Sequence, residues 1–285
     1  MLKNLFISMR PKQWIKNLFI FSALLFVREF TKLDKILLAL EAFVLFCLAS
    51  SAVYLFNDLL DLPKDREHPL KKHRPLASGN ISKQAVGSAA FLLLLISIAA
   101  GFYLNIPFGY ALLAYLILNL LYSLKLKEII ILDVFSIAIG FVFRVVAGAV
   151  VIDVPFSVWL ILCTFFLTLF LAINKRKNEY AFDSTSGARR VLSEYSIPFL
   201  DQISIVSLSA TIISYTFYTF SSEHSKLLMV TVPIVLYGLF YYLFVMSQKR
   251  EGDNGPSDVF LRERNLRLTV LIWILVVGLI LLFKS

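Results

Sequence analysis

The chain has 285 residues, 59% of them hydrophobic and 16% charged, with a formal net charge of +9. Soluble domains carry about 45–50% apolar and about 25% charged residues. The composition therefore excludes a water-soluble fold and points to an all-α integral membrane protein.

Apolar stretches recur from end to end, several near the ~20 residues that a helix needs to cross a ~30 Å hydrocarbon core. No soluble domain fits between them, so residues 1–285 are expected to form one membrane domain. Hydropathy places nine transmembrane helices near residues 14–27, 35–56, 84–104, 107–124, 129–150, 156–174, 201–220, 227–246 and 267–283. The first is the weakest, because Lys16 interrupts it. Lys3, Arg10, Lys12 and Lys16 precede its apolar run as in a signal peptide, yet no small-residue cleavage site follows Val27, so it reads as a retained span. Cys47 and Cys163 lie inside apolar runs and read as small packing groups.

Nine crossings put the N-terminus and segments 57–83, 122–128, 174–195 and 247–267 on one side. That side holds 22 lysines and arginines; the other holds Arg28, Lys32, Lys35, Lys226 and Lys284, and Arg144 alone lies within a span. The asymmetry predicts a plasma (inner) membrane protein whose polar loops face the cytoplasm. The basic excess is then explained by orientation and anionic lipid, at about 1 kcal/mol per cation, and calls for no nucleic acid.

The second span runs into Asn57-Asp58-Leu59-Leu60-Asp61-Leu62-Pro63-Lys64-Asp65-Arg66. Asn57, Asp61 and Asp65 stand four apart, which on a continuous helix sets them on one face at steps of about 40°. Crowded carboxylates at an interface need counter-cations. Mg²⁺, which takes hard oxygen ligands and bridges carboxylates to phosphates, is the expected cofactor, with Asn57, Asp58, Asp61 and Asp65 as candidate ligands. Arg66, His68, Lys71, Lys72, His73 and Arg74 follow, leading into Pro75-Leu76-Ala77-Ser78-Gly79, a basic loop suited to phosphate oxygens.

This run of acids followed by Arg74-Pro75-Leu76-Ala77-Ser78-Gly79 resembles the first aspartate motif of the UbiA superfamily of intramembrane prenyltransferases. The resemblance implies nine helices around a central cavity and a Mg²⁺-held diphosphate. Tyr122-Ser123-Leu124-Lys125-Leu126-Lys127 and Asp133 resemble the second motif region, with one departure: the usual second acid is replaced by Ile137. Asp133 and Arg144 fall within about 20° on one helix face, about three turns apart. An arginine inside a span is a functional candidate, here for a buried phosphate; a structural ion pair with Asp133 or a backbone contact within the bundle is the alternative.

Arg10-Pro11-Lys12-Gln13-Trp14-Ile15-Lys16-Asn17, residues 140–149 and Asn174-Lys175-Arg176-Lys177-Asn178-Glu179 are similar to segments of the decaprenyl-phosphate phosphoribosyltransferase branch. That similarity implies 5-phosphoribosyl 1-diphosphate as donor and a polyprenyl phosphate in the lipid bilayer as acceptor. Lys16, Arg66, Lys72, Arg74, Tyr122, Lys125, Lys127, Arg144, Lys175 and Arg176 are the candidate phosphate-binding residues. Asp58, Asp61, Asp65 and Asp133 are the candidate catalytic acids. A prenyl diphosphate:aromatic transferase is the nearest alternative, and a transporter a more distant one. Gly252-Asp253-Asn254-Gly255-Pro256 reads as a flexible turn.

Overall fold

The computed structural model describes residues 2–183, 190–222, 225–248 and 255–283. Residues 252–254 of the expected turn lie outside the described residues. Among those described, eight helical segments are long and apolar enough to cross a membrane. They are α3 (Leu33–Leu60), α5 (Lys83–Leu104), α6 (Ile106–Leu124), α7 (Leu132–Val151), α8 (Val158–Asp183), α9 (Ile197–Phe220), α10 (Val232–Gln248) with the turn before it, and α12 (Arg264–Phe283). Three shorter helices flank them: α1 (Leu2–Ser8), α4 (Leu62–Glu67) and α11 (Pro256–Arg262).

The ninth element departs from the expected α-helix over 14–27. It is a 3-10 segment, Pro11–Ile20, followed by the short α2, Phe21–Phe26. Arg10 precedes it in the left-handed region at φ 56°, where Pro11 disfavours the right-handed alternative. The segment crosses α7 at Gly148, where an added Cβ would sit 2.0 Å from the Ile20 carbonyl oxygen. Small residues allow this approach, as between membrane helices generally; Ala42, Ala49, Ala147 and Ala149 are buried in the same cluster with Phe46, Phe108 and Ile152.

Helix starts follow local capping chemistry. The side chains of Ser82, Asn105 and Ser196 accept from the N–H groups of Ala85, Phe108 and Phe199, and Pro107 and Pro198 occupy the first turns. The inside–outside pattern is that of a protein in lipid. Phe91, Tyr103, Val206 and Leu275 are 57% or more exposed with dozens of other large apolar side chains, while Asn17, Asp58, Asp65, Asp133, Arg144, Asn174 and Arg176 are buried.

Alternation of the helices is fixed at both ends. The Lys35 ammonium donates to the Ile152 carbonyl oxygen at 2.6 Å, joining the start of α3 to the end of α7. At the opposite end, Lys127 meets Asp61 at 2.7 Å and Lys64 meets Glu128 at 3.4 Å. The acids and most of the clustered cations therefore gather at one end of the bundle.

Candidate active site

The expected register of the first motif is present although α3 closes at Leu60. The Asp61 N–H donates to Asn57 O at 2.9 Å and the Asp65 N–H to Asp61 O at 2.8 Å, so the helical spacing continues through the break into α4. The acids do not converge on one point. Among the described residues no three His, Cys, Asp or Glu side chains are gathered as a ready metal cage; the acids are instead engaged by neighbouring cations, one of them shared. Arg74 Nη1 lies 2.6 Å from Asp65 Oδ2 and 3.3 Å from Asp58 Oδ1, Arg10 also pairs with Asp58, and Lys127 pairs with Asp61. Asp58 and Asp65 are buried, and the Asn57 Oδ1 atom is buried with no hydrogen-bond donor among the described residues. An orphaned hard oxygen in helical register with the carboxylates of Asp61 and Asp65 has the donor chemistry that Mg²⁺ takes.

A second network surrounds Asp133 at the start of α7. Arg176 Nε donates to Asp133 Oδ2 at 2.6 Å, and the Tyr195 hydroxyl donates to Oδ1 at 2.6 Å while accepting from the Ile131 N–H at 2.8 Å. Ile131 has φ 70°, an outlier for a β-branched residue, and the Tyr195 hydrogen bond ties down that strained turn. Arg176 also pairs with Glu179 and donates to the Tyr122 hydroxyl at 3.0 Å. Burial raises the Tyr195 phenol above its ordinary range, and the adjoining Asp133 carboxylate raises it further. Asp133 is 0% and Arg176 1% exposed. Both oxygens of Asp133 are thus hydrogen-bonded within the protein. Ile137 packs beside it in an apolar cluster with Leu169, Ile173 and Leu200.

Arg144 is not paired with Asp133. Its guanidinium donates to Asn17 Oδ1 at 2.8 Å, Gly140 O at 2.8 Å and the Tyr115 hydroxyl at 3.0 Å, all neutral acceptors. It also lies over the rings of Tyr115 and Phe141 at 4.6 and 4.9 Å. No carboxylate pairs with it among the described residues. Lys16, one residue from Asn17, stands among the like charges of Lys175, Arg144 and Arg10. Lys175 is held 3.3 Å from Glu179.

The remaining expected residues, Arg66, Lys72 and Lys125, are exposed at the same end. Arg10, Asn17, Tyr115, Glu179 and Tyr195 belong to these networks without having been assigned roles from sequence. Arg10, Asn17 and Glu179 lie within segments that carried the family resemblance, so a signal for them existed. Tyr115, within a span, and Tyr195, beyond a loop, carried none.

Residues 17–262 match the sequence model of the UbiA prenyltransferase family. The chain is 32% identical over 286 residues to a decaprenyl-phosphate phosphoribosyltransferase of Mycolicibacterium smegmatis, covering 95% of this chain and 90% of that one. It is 31% identical to the enzyme of that name from Corynebacterium glutamicum, covering 94% and 83%. Its fold is similar, at TM-score 0.73, 19% identity and 98% and 99% coverage, to a UbiA homolog from Archaeoglobus fulgidus bound to DMAPP and Mg2+. With an all-helical bundle, a first motif in register and relatives matched over nearly the whole length, the chain belongs to the UbiA prenyltransferase family, in its decaprenyl-phosphate phosphoribosyltransferase branch.

Proposed function

We propose that this single-domain protein transfers the 5-phosphoribosyl group from 5-phosphoribosyl 1-diphosphate to a polyprenyl phosphate, giving polyprenyl-phosphoryl-5-phosphoribose and pyrophosphate. The observation that carries the reading is the near-full-length similarity to enzymes of that name. The site chemistry supports it, since an acid cluster and a separate cationic cluster meet at one end of the bundle. The excess of lysine and arginine at that end supports a cytoplasmic orientation for it and a plasma-membrane setting for the protein.

Asn57, Asp58, Asp61 and Asp65 would hold Mg²⁺, which supplies charge neutralisation for a departing diphosphate. Arg10, Arg74 and Lys127, set against these acids, keep positive charge beside the same oxygens. In the transfer, an oxygen of the lipid phosphate forms a bond to ribose C1 as the C1–O bond to pyrophosphate breaks, and pyrophosphate leaves with the electron pair. The attacking phosphate is already an anion at neutral pH, so the protein's task is positioning and electrostatics rather than proton removal. The Arg176–Asp133–Tyr195 network acts in positioning: it ties α8, α7 and the segment before α9 together beside the site. That network and Ile137 weigh against prenyl diphosphate:aromatic transfer, because this half of the site offers no free pair of acids.

The test is transfer of radiolabel from phosphoribosyl diphosphate into organic-extractable lipid by the purified protein with Mg²⁺ and polyprenyl phosphate. Transfer that stops with EDTA and with Asp61→Asn is the expected outcome. Transfer from a prenyl diphosphate to an aromatic acid, with none from the phosphoribosyl donor, would overturn the reading.

A further inference from the structure

Arg144 is 5% exposed and carries a full charge among neutral partners. A buried cation without a carboxylate is costly in a membrane unless an anion joins it. Lys16, on the adjoining 3-10 segment, has no hydrogen bond or ion pair among the described residues, and the charges of Lys175, Arg144 and Arg10 all act on it. α11, which carries Asp258, packs against both the 3-10 segment that carries Lys16 and the α8 helix that carries Lys175. A Cβ placed on Gly255 would lie 3.6 Å from Asp258 Oδ2 and 4.0 Å from Lys175 Cε, so that acid and Lys175 border the same small surface.

Depth distinguishes Arg144 from the acid-lined mouth, whereas Lys175, next to the Arg176 that pairs with Asp133, marks the outer edge of the cluster. The Arg144 guanidinium bonds to the Gly140 carbonyl, and Gly140 lies about 10 Å along α7 from Asp133 at 1.5 Å per residue. A sugar phosphate, polar throughout, gains nothing from that depth, whereas a lipid phosphate keeps its chain in hydrocarbon. Arg10 links the two regions, pairing with Asp58 while its charge acts on Lys16.

We propose that Lys16, Arg144 and Lys175 form a second anion subsite, which takes the phosphate monoester of the polyprenyl acceptor apart from the donor's metal-bound diphosphate. The identity of the acceptor rests on the phosphoribosyl-transfer reading; the existence of the subsite does not. Glu179, 3.3 Å from Lys175, and Asp258 partly offset its charge until the phosphate arrives.

The experiment titrates farnesyl monophosphate into the full-length protein in phosphatidylcholine nanodiscs with EDTA and measures binding directly by calorimetry. Metal-free binding is expected. Lys16→Gln and Lys175→Gln should each weaken it about tenfold, the loss of one charge-assisted hydrogen bond. Lys175→Arg should keep binding, Asp61→Asn should leave it unchanged and Asp258→Asn should tighten it. Binding that requires Mg²⁺ and follows Asp61 instead of the lysines would overturn the proposal. Displacement by ribose 5-phosphate would also overturn it, by assigning the cluster to the donor, and so would equal displacement by phosphatidylglycerol, by assigning it to bulk lipid. If farnesyl phosphate binds through the lysines but no ribosyl label is transferred, the functional reading falls and the subsite stands. If transfer proceeds and Lys175→Gln changes neither binding nor the lipid KM, the subsite falls alone.

Discussion

Gly148→Ala tests the contact that sets the 3-10 segment against α7. The new Cβ would stand 2.0 Å from Ile20 O, 2.8 Å from Ile20 C and 3.0 Å from Ile20 Cα. Carbon–oxygen contacts come no nearer than about 3.3 Å, so the segment must retreat from α7 by about 1.3 Å. All three obstructing atoms are backbone, and no rotamer change relieves them. Overpacking costs about 1–3 kcal/mol, and this clash belongs at the upper end. The glycine-to-alanine gain in a helix interior offsets about 1 kcal/mol of it.

The net loss of about 2 kcal/mol corresponds to roughly 4–8 °C in unfolding temperature, at about 2–4 °C per kcal/mol for a chain of this size class. The same retreat stretches the 2.8 Å bond from Arg144 to Asn17. A misplacement of about 1 Å in a positioning group costs about a hundredfold in rate, so transfer should fall more steeply than stability. Thermal unfolding followed by tryptophan fluorescence in detergent, beside the labelled-lipid assay, measures both effects. Gly278→Ala is the control: nothing lies within 4 Å of its added Cβ, and it should unfold at or slightly above the wild-type temperature. If Gly148→Ala matches wild type in both assays, the segment is not held against α7 as described.

Arg176→Met leaves Asp133 buried without its cation, and should lower stability by about 3–5 kcal/mol; adding Asp133→Leu should restore part of the unfolding temperature, and failure to do so would show that the pair is not the source of the loss. Because the folded Tyr195 pKa is raised, its contribution to stability is fully present below the unfolded value of about 10 and declines only as pH rises from there toward the folded value. Tyr195→Phe should therefore unfold at lower temperature at neutral pH, by about 1–3 kcal/mol for the unsatisfied Asp133 and Ile131 partners, with a flatter alkaline limb in a pH series. Mg²⁺ at a hundredfold over its dissociation constant should stabilise the wild-type protein by about 2.7 kcal/mol and Asp61→Asn much less, and an equal shift in both would remove Asp61 from the metal site.

Bulk hydrophobicity made the membrane fold legible, and the four-residue spacing of Asn57, Asp61 and Asp65 survived because both links of its backbone hydrogen-bond ladder are intact. That the first span is largely 3-10 is not legible from hydropathy, which reports burial and not helix type; its conformation follows from Pro11, a left-handed Arg10 and close passage over Gly148. Periodicity likewise set Arg144 and Asp133 on one face but could not say whether they touch. Three turns of separation on α7 let them take different partners, Arg144 from the N-terminal segment and Asp133 from α8 and Tyr195. Ion pairing across the bundle is a property of tertiary neighbours, and a single sequence carries it only where a motif happens to name both residues.

The distribution of charge narrows what this scaffold can do. A transporter needs ionisable groups along a route through the membrane, whereas here the acids of the first motif and their cations sit at one end, and Arg144, farther along α7, contacts Tyr115, Phe141 and Asn17. A site with two metal-binding acid pairs would suit a diphosphate donor and an uncharged acceptor. This chain carries Asn57, Asp61 and Asp65 in helical register, engages Asp133 with Arg176 and Tyr195, and sets Arg144 deeper along α7. That division, one acid-lined region beside one cationic region, matches a reaction in which both partners bring phosphate and only one of them loses a diphosphate.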